Sequence, residues 1–178
     1  MKYAVVAGAV LVSTGCGSTE RVAWAPPQTV PFHGSSDCGP KGRDIEIHVR
    51  RLVLRRDGWR VDASIANHTG TAVQVSRPHH PNHVQFGVDV FETNRLDEVE
   101  RRVARGEVHN NALAERVDPP LPHALEPGER WRGSFSGPGR FPAGRYVRIE
   151  FGRFTFPGTA PPGYPARFFC VTDDAPRL

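Results

Sequence analysis

From Asp44 onward, apolar and polar residues alternate along the chain with a period of two, which is typical of half-buried β-strands. The first run covers 45–54, and its alternation shifts by one residue in the middle. A shift of this kind predicts a β-bulge at Arg50-Arg51. The turn signal Asp57-Gly58 follows, and a second alternating run covers 59–65. These runs predict two strands joined by a turn.

Further short runs with the same alternation lie between turns rich in Gly, Pro and Asn: 73–75, 84–91, 129–135, 144–152 and 167–171. In the run 144–152, one face is apolar and the other carries Tyr146, Arg148 and Glu150. Together the runs amount to about seven short strands, which predict an all-β fold built as an antiparallel β-sandwich.

One segment has a helical period instead. Its apolar residues fall at i, i+3 and i+7, at Leu96, Val99 and Val103. Glu98 can pair with Arg102 at i+4, and Asn94 is an acceptable N-cap. The pattern predicts a short helix over about 95–105, inserted between two strands. The alternative is a polar, partly disordered excursion, because the apolar stripe is thin.

Four stretches occur in an order seen in bacterial immunoglobulin-like modules: "VDASIANHTGTAVQV", "FGVDVF", "LEPGERWRGSF" and "PAGRYVRIEF". The chain over 61–151 resembles the domain named for intracellular proteinase inhibitors, in which an Asn-rich turn, an "LxPGE" corner and a "PaGxY" corner recur. The resemblance implies an immunoglobulin-like sandwich. The helical insertion has no counterpart in the simple pattern of the family, and the family supplies no catalytic residues.

The N-terminus has the features of an export signal. Lys2 precedes an apolar core at 4–12, which has the length of a signal-peptide core and is too short to span a bilayer. Small residues then lead to Cys16, an arrangement that resembles the lipobox of bacterial lipoproteins, although Ser13 stands where that family usually has Leu. The resemblance implies a signal peptide over 1–15, lipidation of Cys16 and an anchored protein on the extracytoplasmic face of the cell membrane or outer membrane. The alternative is an ordinary secretory peptide with an incidental cysteine.

The segment 16–36 contains Gly, Ser and Pro without a sustained period, which predicts a flexible tether before a domain over 37–174. Trp24 and Phe32 are unusual in a linker and suggest contact with the domain. Cys38 and Cys170 stand near the two ends of that domain. In an oxidising compartment such a pair is most simply a disulfide, and the alternative is two buried free thiols.

Charge narrows the choice of partner only a little. The formal net charge is +4, and arginine dominates the basic residues. Paired arginines such as Arg55-Arg56 come without a stacking platform or nucleic-acid motif, so no nucleic-acid partner is expected. Solvated strand and helix faces are the favoured interpretation, and a weak attraction to anionic lipid or polysaccharide is the alternative.

Candidate chemistry is sparse. The sequence contains no Gly-x-Ser-x-Gly elbow. The expected disulfide accounts for Cys38 and Cys170, so neither is a candidate nucleophile. We therefore expect no enzymatic activity and no cofactor. The loop "RPHHPNH" carries three imidazoles that could bind zinc or copper: His79, His80 and His83. Adjacent side chains of an extended loop point apart, so a solvated turn without a metal is the favoured interpretation.

These observations predict a lipid-anchored, non-catalytic binding or accessory module of the bacterial cell envelope. Its partners would be the membrane, through the anchor, and an envelope protein or polysaccharide. Two alternatives stay open. A proteinase inhibitor would present the Pro-rich stretch 117–127 to a protease, and a metal-handling protein would use the histidine loop.

Overall fold

The computed structural model describes residues 22–33, 35–38, 44–75, 86–107 and 111–178. Within these residues the chain forms twelve strands and one helix, and the strands make two antiparallel sheets. The first six strands are β1 (Gln28–Pro31), β2 (Ser35–Cys38), β3 (Ile45–Leu54), β4 (Gly58–Asn67), β5 (Val73–Val75) and β6 (Phe86–Phe91). After the helix α1 (Leu96–Ala104) come β7 (Asn111–Leu113), β8 (Arg116–Asp118), β9 (Ala124–Leu125), β10 (Arg130–Pro138), β11 (Tyr146–Thr155) and β12 (Arg167–Val171). The predicted all-β class is confirmed.

The first sheet has the order β1-β3-β4-β10-β8, and β2 also pairs with β3. β1 pairs with the second half of β3, where Pro31 lies opposite Arg51, and β2 pairs with the first half, where Ser35 lies opposite His48. The two short strands therefore form one interrupted edge along β3.

The second sheet is organised around β11. Glu150 and Phe151 of β11 pair with β6 on one side and with β12 on the other. Further along β11, Phe154 and Thr155 pair with β12 and with β5. β5 and β6 therefore lie along one edge of β11, and β12 lies along the opposite edge. β7 extends the sheet beyond β6, and β9 extends it beyond β5.

The core lies between the two sheets, as in a β-sandwich. Inward-facing positions at alternate residues of both sheets are buried, among them Val61, Ala63, Ile65, Val147, Ile149 and Phe151. Phe86 and Phe135 stack across the core with ring centroids 5.0 Å apart, and Trp131 stacks on Phe135 at 5.5 Å. Burial of these large rings supplies much of the hydrophobic stabilisation, since aromatic side chains bury more area than any other type.

The predicted details of the first hairpin are confirmed. The register of β3 against β4 shifts between Val49 and Arg51, which is the expected bulge. The chain then turns at 55–57, and Arg55 N donates to Gly58 O at 2.8 Å. The shift keeps Ile45, Ile47 and Val49 before the bulge, and Leu52 and Leu54 after it, on the buried face of β3.

The segment 111–118 passes from one sheet to the other. β7 pairs with β6 in the second sheet, and β8 pairs with β10 in the first. Between them, Ala114 N donates to Phe86 O and Glu115 N donates to Ser136 O. Gly133 of β10 is required beside this segment, because an added Cβ would lie 2.6 Å from Asp118 O.

The predicted helix is present, with one correction. It runs from Leu96 to Ala104, its N-cap is Arg95 instead of Asn94, and no side chain caps it. Just before the helix, Thr93 Oγ1 accepts from Arg95 N and donates to Glu98 Oε2. The expected pairing of Glu98 with Arg102 is confirmed.

The boundary between tether and domain also needs a correction. The composition of 16–36 predicts a flexible tether, but most of this segment's second half lies in β1 at 28–31 and at the start of β2 at 35–38. Val30 and Phe32 are both 6% exposed and belong to the core. Upstream of β1, Trp24 forms an isolated bridge to Pro142. Hydrogen bonds to strand β3 and burial in the core therefore hold this segment, which its composition alone does not indicate.

Candidate functional site

Four of the residues singled out from the sequence lie outside the described residues: Cys16, His79, His80 and His83. Lipidation of Cys16 and the absence of a tight metal site in the histidine loop therefore stay predictions. Among the described residues, no group of three or more His, Cys, Asp or Glu side chains is placed to hold a metal ion.

Cys38 and Cys170 form the predicted disulfide. Their Cα atoms are 5.7 Å apart, within the usual range for a disulfide, and they are separated by 132 positions in the chain. Cys38 ends β2 at the edge of the first sheet, and Cys170 lies in β12 at the edge of the second. The bond therefore joins the two sheets along one side of the sandwich.

The Pro-rich stretch 117–127 is tied to the sandwich at several points. Val117 belongs to β8, and Leu125 in β9 is only 1% exposed. Between them, Trp131 Nε1 donates to Pro119 O at 3.2 Å. The exposed residues of the stretch are 118–120, 123 and 126–127. Partly or fully buried residues separate them, so they do not form one continuous exposed loop of the kind the sequence suggested for a protease-binding segment.

The outer face of the first sheet carries an unusual density of arginine. We call this surface the arginine face; its basic members are Arg51, Arg60, Arg116, Arg130 and Arg132. These side chains come from β3, β4, β8 and β10, at positions that alternate with core residues. Alternation along each strand and pairing between strands bring together arginines that are far apart in the sequence.

Asp62 lies at the centre of this face. Its carboxylate accepts from Arg51 Nε at 2.6 Å and from Arg60 Nε at 2.8 Å. The Asp62 side chain is 3% exposed, whereas those of Arg51 and Arg60 are 56% and 45% exposed. Burial raises the pKa of Asp62, but the hydrogen bonds and charges of the two arginines lower it more, so the net shift of the pKa is downward. Asp62 is therefore held as a carboxylate.

The geometry leaves the outer edges of both guanidinium groups available. Each arginine uses Nε to bind Asp62, and its terminal nitrogens make no hydrogen bond to the described part of the chain. A terminal edge of this kind can bind a carboxylate or phosphate with two parallel hydrogen bonds. Asp62 thus fixes the position of two cationic groups without occupying their binding edges.

The remaining arginines of the face extend the positive surface. Arg60 and Arg116 lie on either side of Ser136, each directly opposite it in register, so their Cα atoms are about 10 Å apart across three strands. Arg116 and Arg132 are exposed and form no ion pair with any described residue. Arg130 pairs with Glu46 at 2.7 Å.

Small polar residues occupy the strand positions between these arginines. Ser64 and Ser134 are each 6% exposed, since neighbouring long side chains cover them. The exposed large apolar side chains of the described residues all lie elsewhere, at Val22, Trp24, Leu96, Leu113 and Phe169. The arginine face is therefore polar and lacks an aromatic anchor.

A second polar cluster lies on the outer face of the other sheet, where α1 covers it. The Arg148 side chain is 5% exposed; its Nη1 donates to Thr172 O at 2.8 Å and its Nη2 to Glu100 Oε1 at 2.5 Å. Asp89 lies opposite Arg148 in register and is 0% exposed. Because the helix and the C-terminal segment cover this cluster, it fastens α1 to the sheet and does not present a ligand site.

Sequence reasoning missed both clusters. It assigned the arginines to solvated faces and placed Arg148 on a polar side of its strand. The alternation does give the correct face of each strand, but it does not give the register between strands. No signal within one strand could show that Asp62 lies beside Arg51, or that a helix lies over Arg148.

The chain matches no protein-family model, no curated protein and no solved structure. The helix of the described residues is too short and too polar to cross a membrane.

Proposed function

We propose that this protein is a lipid-anchored, non-catalytic binding domain of the bacterial cell envelope, and that its arginine face binds an acidic polysaccharide. The observation that carries the proposal is the pair of guanidinium groups held by Asp62 with their terminal edges exposed. Arg116 and Arg132 lie on the same face without an ion pair among the described residues.

The order of the strands supports an immunoglobulin-like assignment within the sandwich class. We letter β3, β4, β6, β8, β10, β11 and β12 as A to G in chain order. The first sheet then contains the neighbours A-B-E-D and the second contains C-F-G. This is the arrangement of a constant-type immunoglobulin domain. The disulfide differs, since it joins the strand before A to G instead of joining B to F.

Two observations support export and anchoring. The disulfide between Cys38 and Cys170 is typical of a protein that folds in an oxidising compartment. The apolar core at 4–12, followed by small residues and Cys16, resembles a lipoprotein signal. Dual acylation of Cys16 would hold the domain stably on a membrane.

The chemistry of the arginine face favours a polysaccharide over a protein. Protein interfaces are centred on buried aromatic or apolar anchors, and the exposed large apolar side chains of the described residues lie on other surfaces. A uronic acid polymer instead presents carboxylates at regular intervals and hydroxyls between them. The spaced guanidinium groups of the face complement the carboxylates of that pattern.

Binding to defined polymers tests this proposal. The full chain in detergent should bind polygalacturonate more tightly than uncharged dextran of the same length, and the affinity should fall as salt rises. Replacement of both free arginines, as Arg116→Gln/Arg132→Gln, should weaken binding more than tenfold, since a hydrogen bond to a charged group contributes about 1.5–3 kcal/mol. Isothermal calorimetry gives the dissociation constants.

Arg167→Gln is the matched control. Arg167 is exposed at the start of β12, and its replacement removes one positive charge from the other sheet, so it is compared with the single variants Arg116→Gln and Arg132→Gln. Its effect should be small if the arginine face binds the polymer. Equal weakening by Arg167→Gln would mean that only net charge matters, and equal affinity for dextran would contradict an acidic ligand.

A further inference from the structure

Several separate segments meet at one end of the sandwich, where the described chain begins. The hairpin turn 55–57 is joined to the loop after β10, where Gly139 N donates to Asp57 O at 3.4 Å. That loop, 139–145, crosses from the first sheet to the start of β11 in the second. The turn and the loop therefore form one continuous surface across the end of both sheets.

The first described residues are paired to the same loop. Ala143 N donates to Ala23 O and Ala25 N donates to Phe141 O, each at 2.8 Å. The last residues also lie there, since Arg177 Nε donates to Gly144 O at 2.9 Å. These hydrogen bonds therefore hold the first described residues at this end of the domain.

This end is strongly basic. The four segments 22–25, 55–58, 139–145 and 176–178 contain five arginines and one acidic residue, Asp57. We call their surface the basic end; its arginines are Arg55, Arg56, Arg140, Arg145 and Arg177. None of these guanidinium groups forms an ion pair with another described residue.

Trp24 gives the basic end an amphipathic side chain. Trp24 is 45% exposed, and Arg140 Cζ lies 4.9 Å from the centroid of its ring. Exposed Trp and Arg are the residues found where proteins meet the headgroup region of a bilayer, because each combines an apolar body with a polar or charged tip.

The length of the connection to the anchor places this end close to the membrane. Cys16 precedes Val22 by six residues, which can span at most about 20 Å when fully extended. A tether over 16–36 would have reached about three times as far. Because β1 and the bridge at Trp24 belong to the domain, the short connection leaves the basic end facing the bilayer.

We infer that the basic end is a docking surface for the anionic phospholipid headgroups of the membrane that holds the anchor. This inference rests on the proposed lipidation of Cys16. The basic residues attract the negative surface and Trp24 enters the interface, so the domain stands on the bilayer in one orientation. The arginine face then lies along the side of the sandwich, where it remains accessible to the envelope.

Fluorescence of Trp24 tests the inference directly. Trp59 and Trp131 are 2% and 5% exposed and lie in the core, so a quencher in the lipid reports on Trp24. The full chain is reconstituted in vesicles with brominated acyl chains, either phosphatidylcholine alone or phosphatidylcholine with phosphatidylglycerol. We expect quenching about twofold greater in the anionic vesicles, with the excess removed at high salt.

The variants separate the basic end from net charge. Arg55→Gln/Arg56→Gln/Arg140→Gln should remove the excess quenching, and Trp24→Phe should remove quenching altogether. The control Arg116→Gln/Arg132→Gln/Arg167→Gln loses the same charge from other surfaces and should keep the excess quenching. Equal quenching in both kinds of vesicle, or equal loss in the control, would overturn the inference.

The mass of the N-terminal peptide distinguishes failure of the anchor from failure of the docking surface. If Cys16 is acylated and Trp24 is not quenched, the lipid anchor is confirmed and the inference that the basic end docks on the membrane is wrong. If Cys16 is not acylated and anionic vesicles still quench Trp24 in a salt-dependent manner, the anchor is wrong and the docking surface stands.

Discussion

At Asp62, one buried carboxylate sets the position of two exposed guanidinium groups. Arg51 and Arg60 would otherwise sample many rotamers, and an ion pair between fully exposed side chains contributes little. Here the shared acceptor is 3% exposed, so the geometry is better defined than at a typical surface pair. The arrangement lowers the entropic cost of binding an anion, because the cations are already in place.

Replacement of this carboxylate should change stability in a pH-dependent way. Asp62→Asn should lower the free energy of unfolding by about 1–2 kcal/mol at pH 7, since one member of a charge-assisted hydrogen-bond cluster is lost. The pKa of Asp62 is lower in the folded protein than its ordinary value of about 4, so its contribution is complete above that pH and is lost as the pH falls through the lowered pKa. Urea titrations between pH 7 and pH 3 should therefore show a shallower decline for Asp62→Asn than for the wild type. Parallel curves would contradict this role.

Among the elements, α1 shows what an amphipathic pattern can and cannot predict. The spacing of Leu96, Val99 and Val103 predicted a helix close to the observed one. The pattern did not say what the helix covers, because that depends on Arg148 and Asp89 in two strands of the second sheet. Val99 is fully buried and Leu96 is 45% exposed, so only part of the predicted apolar stripe contacts the domain.

The buried side chain of Val99 should control the docking of α1 on the sheet. Val99→Ala removes two methyl groups from a fully buried position, which should cost about 2 kcal/mol of helix docking. Local opening of α1 should then become more than about tenfold more frequent, and trypsin should cleave at Arg101 and Arg102 correspondingly faster. Cleavage can be followed by mass spectrometry of the native protein.

Leu96→Ala provides the control for this experiment, because it shortens an exposed apolar side chain in the same helix. Its rate of cleavage should stay close to that of the wild type. If both variants are cleaved equally fast, helix propensity controls opening and the buried contact does not.

For the whole molecule, the sequence predicted the class and several strands but misplaced the start of the domain. Alternation identified the strands of the core because each has one buried face. The alternation did not predict β1 and β2, because each strand has only four residues and contains proline or polar residues. Short edge strands are held by pairing with a neighbour. Whether β1 and β2 form therefore depends on β3, and their own composition does not reveal it.

The disulfide should stabilise the whole domain as one unit. Cys38→Ala and Cys170→Ala should each lower the free energy of unfolding by about 3–5 kcal/mol, because either change opens the same long loop. The double variant should be no less stable than either single variant, as expected for residues that act only through each other. Guanidinium denaturation of the three variants measures the loss. Two alkylatable thiols in the denatured, unreduced wild type would contradict the bond.

The position of this bond also determines how the domain carries mechanical load. A pull on the N-terminal segment enters through β1 and β2 and reaches Cys38, where the covalent link passes it directly to Cys170 in β12. The 131 residues between the two cysteines form a closed loop that tension between the two ends of the chain cannot lengthen. Only the segments outside that loop can be drawn out. Between its two ends, the disulfide-bonded part of the domain is therefore almost inextensible under load.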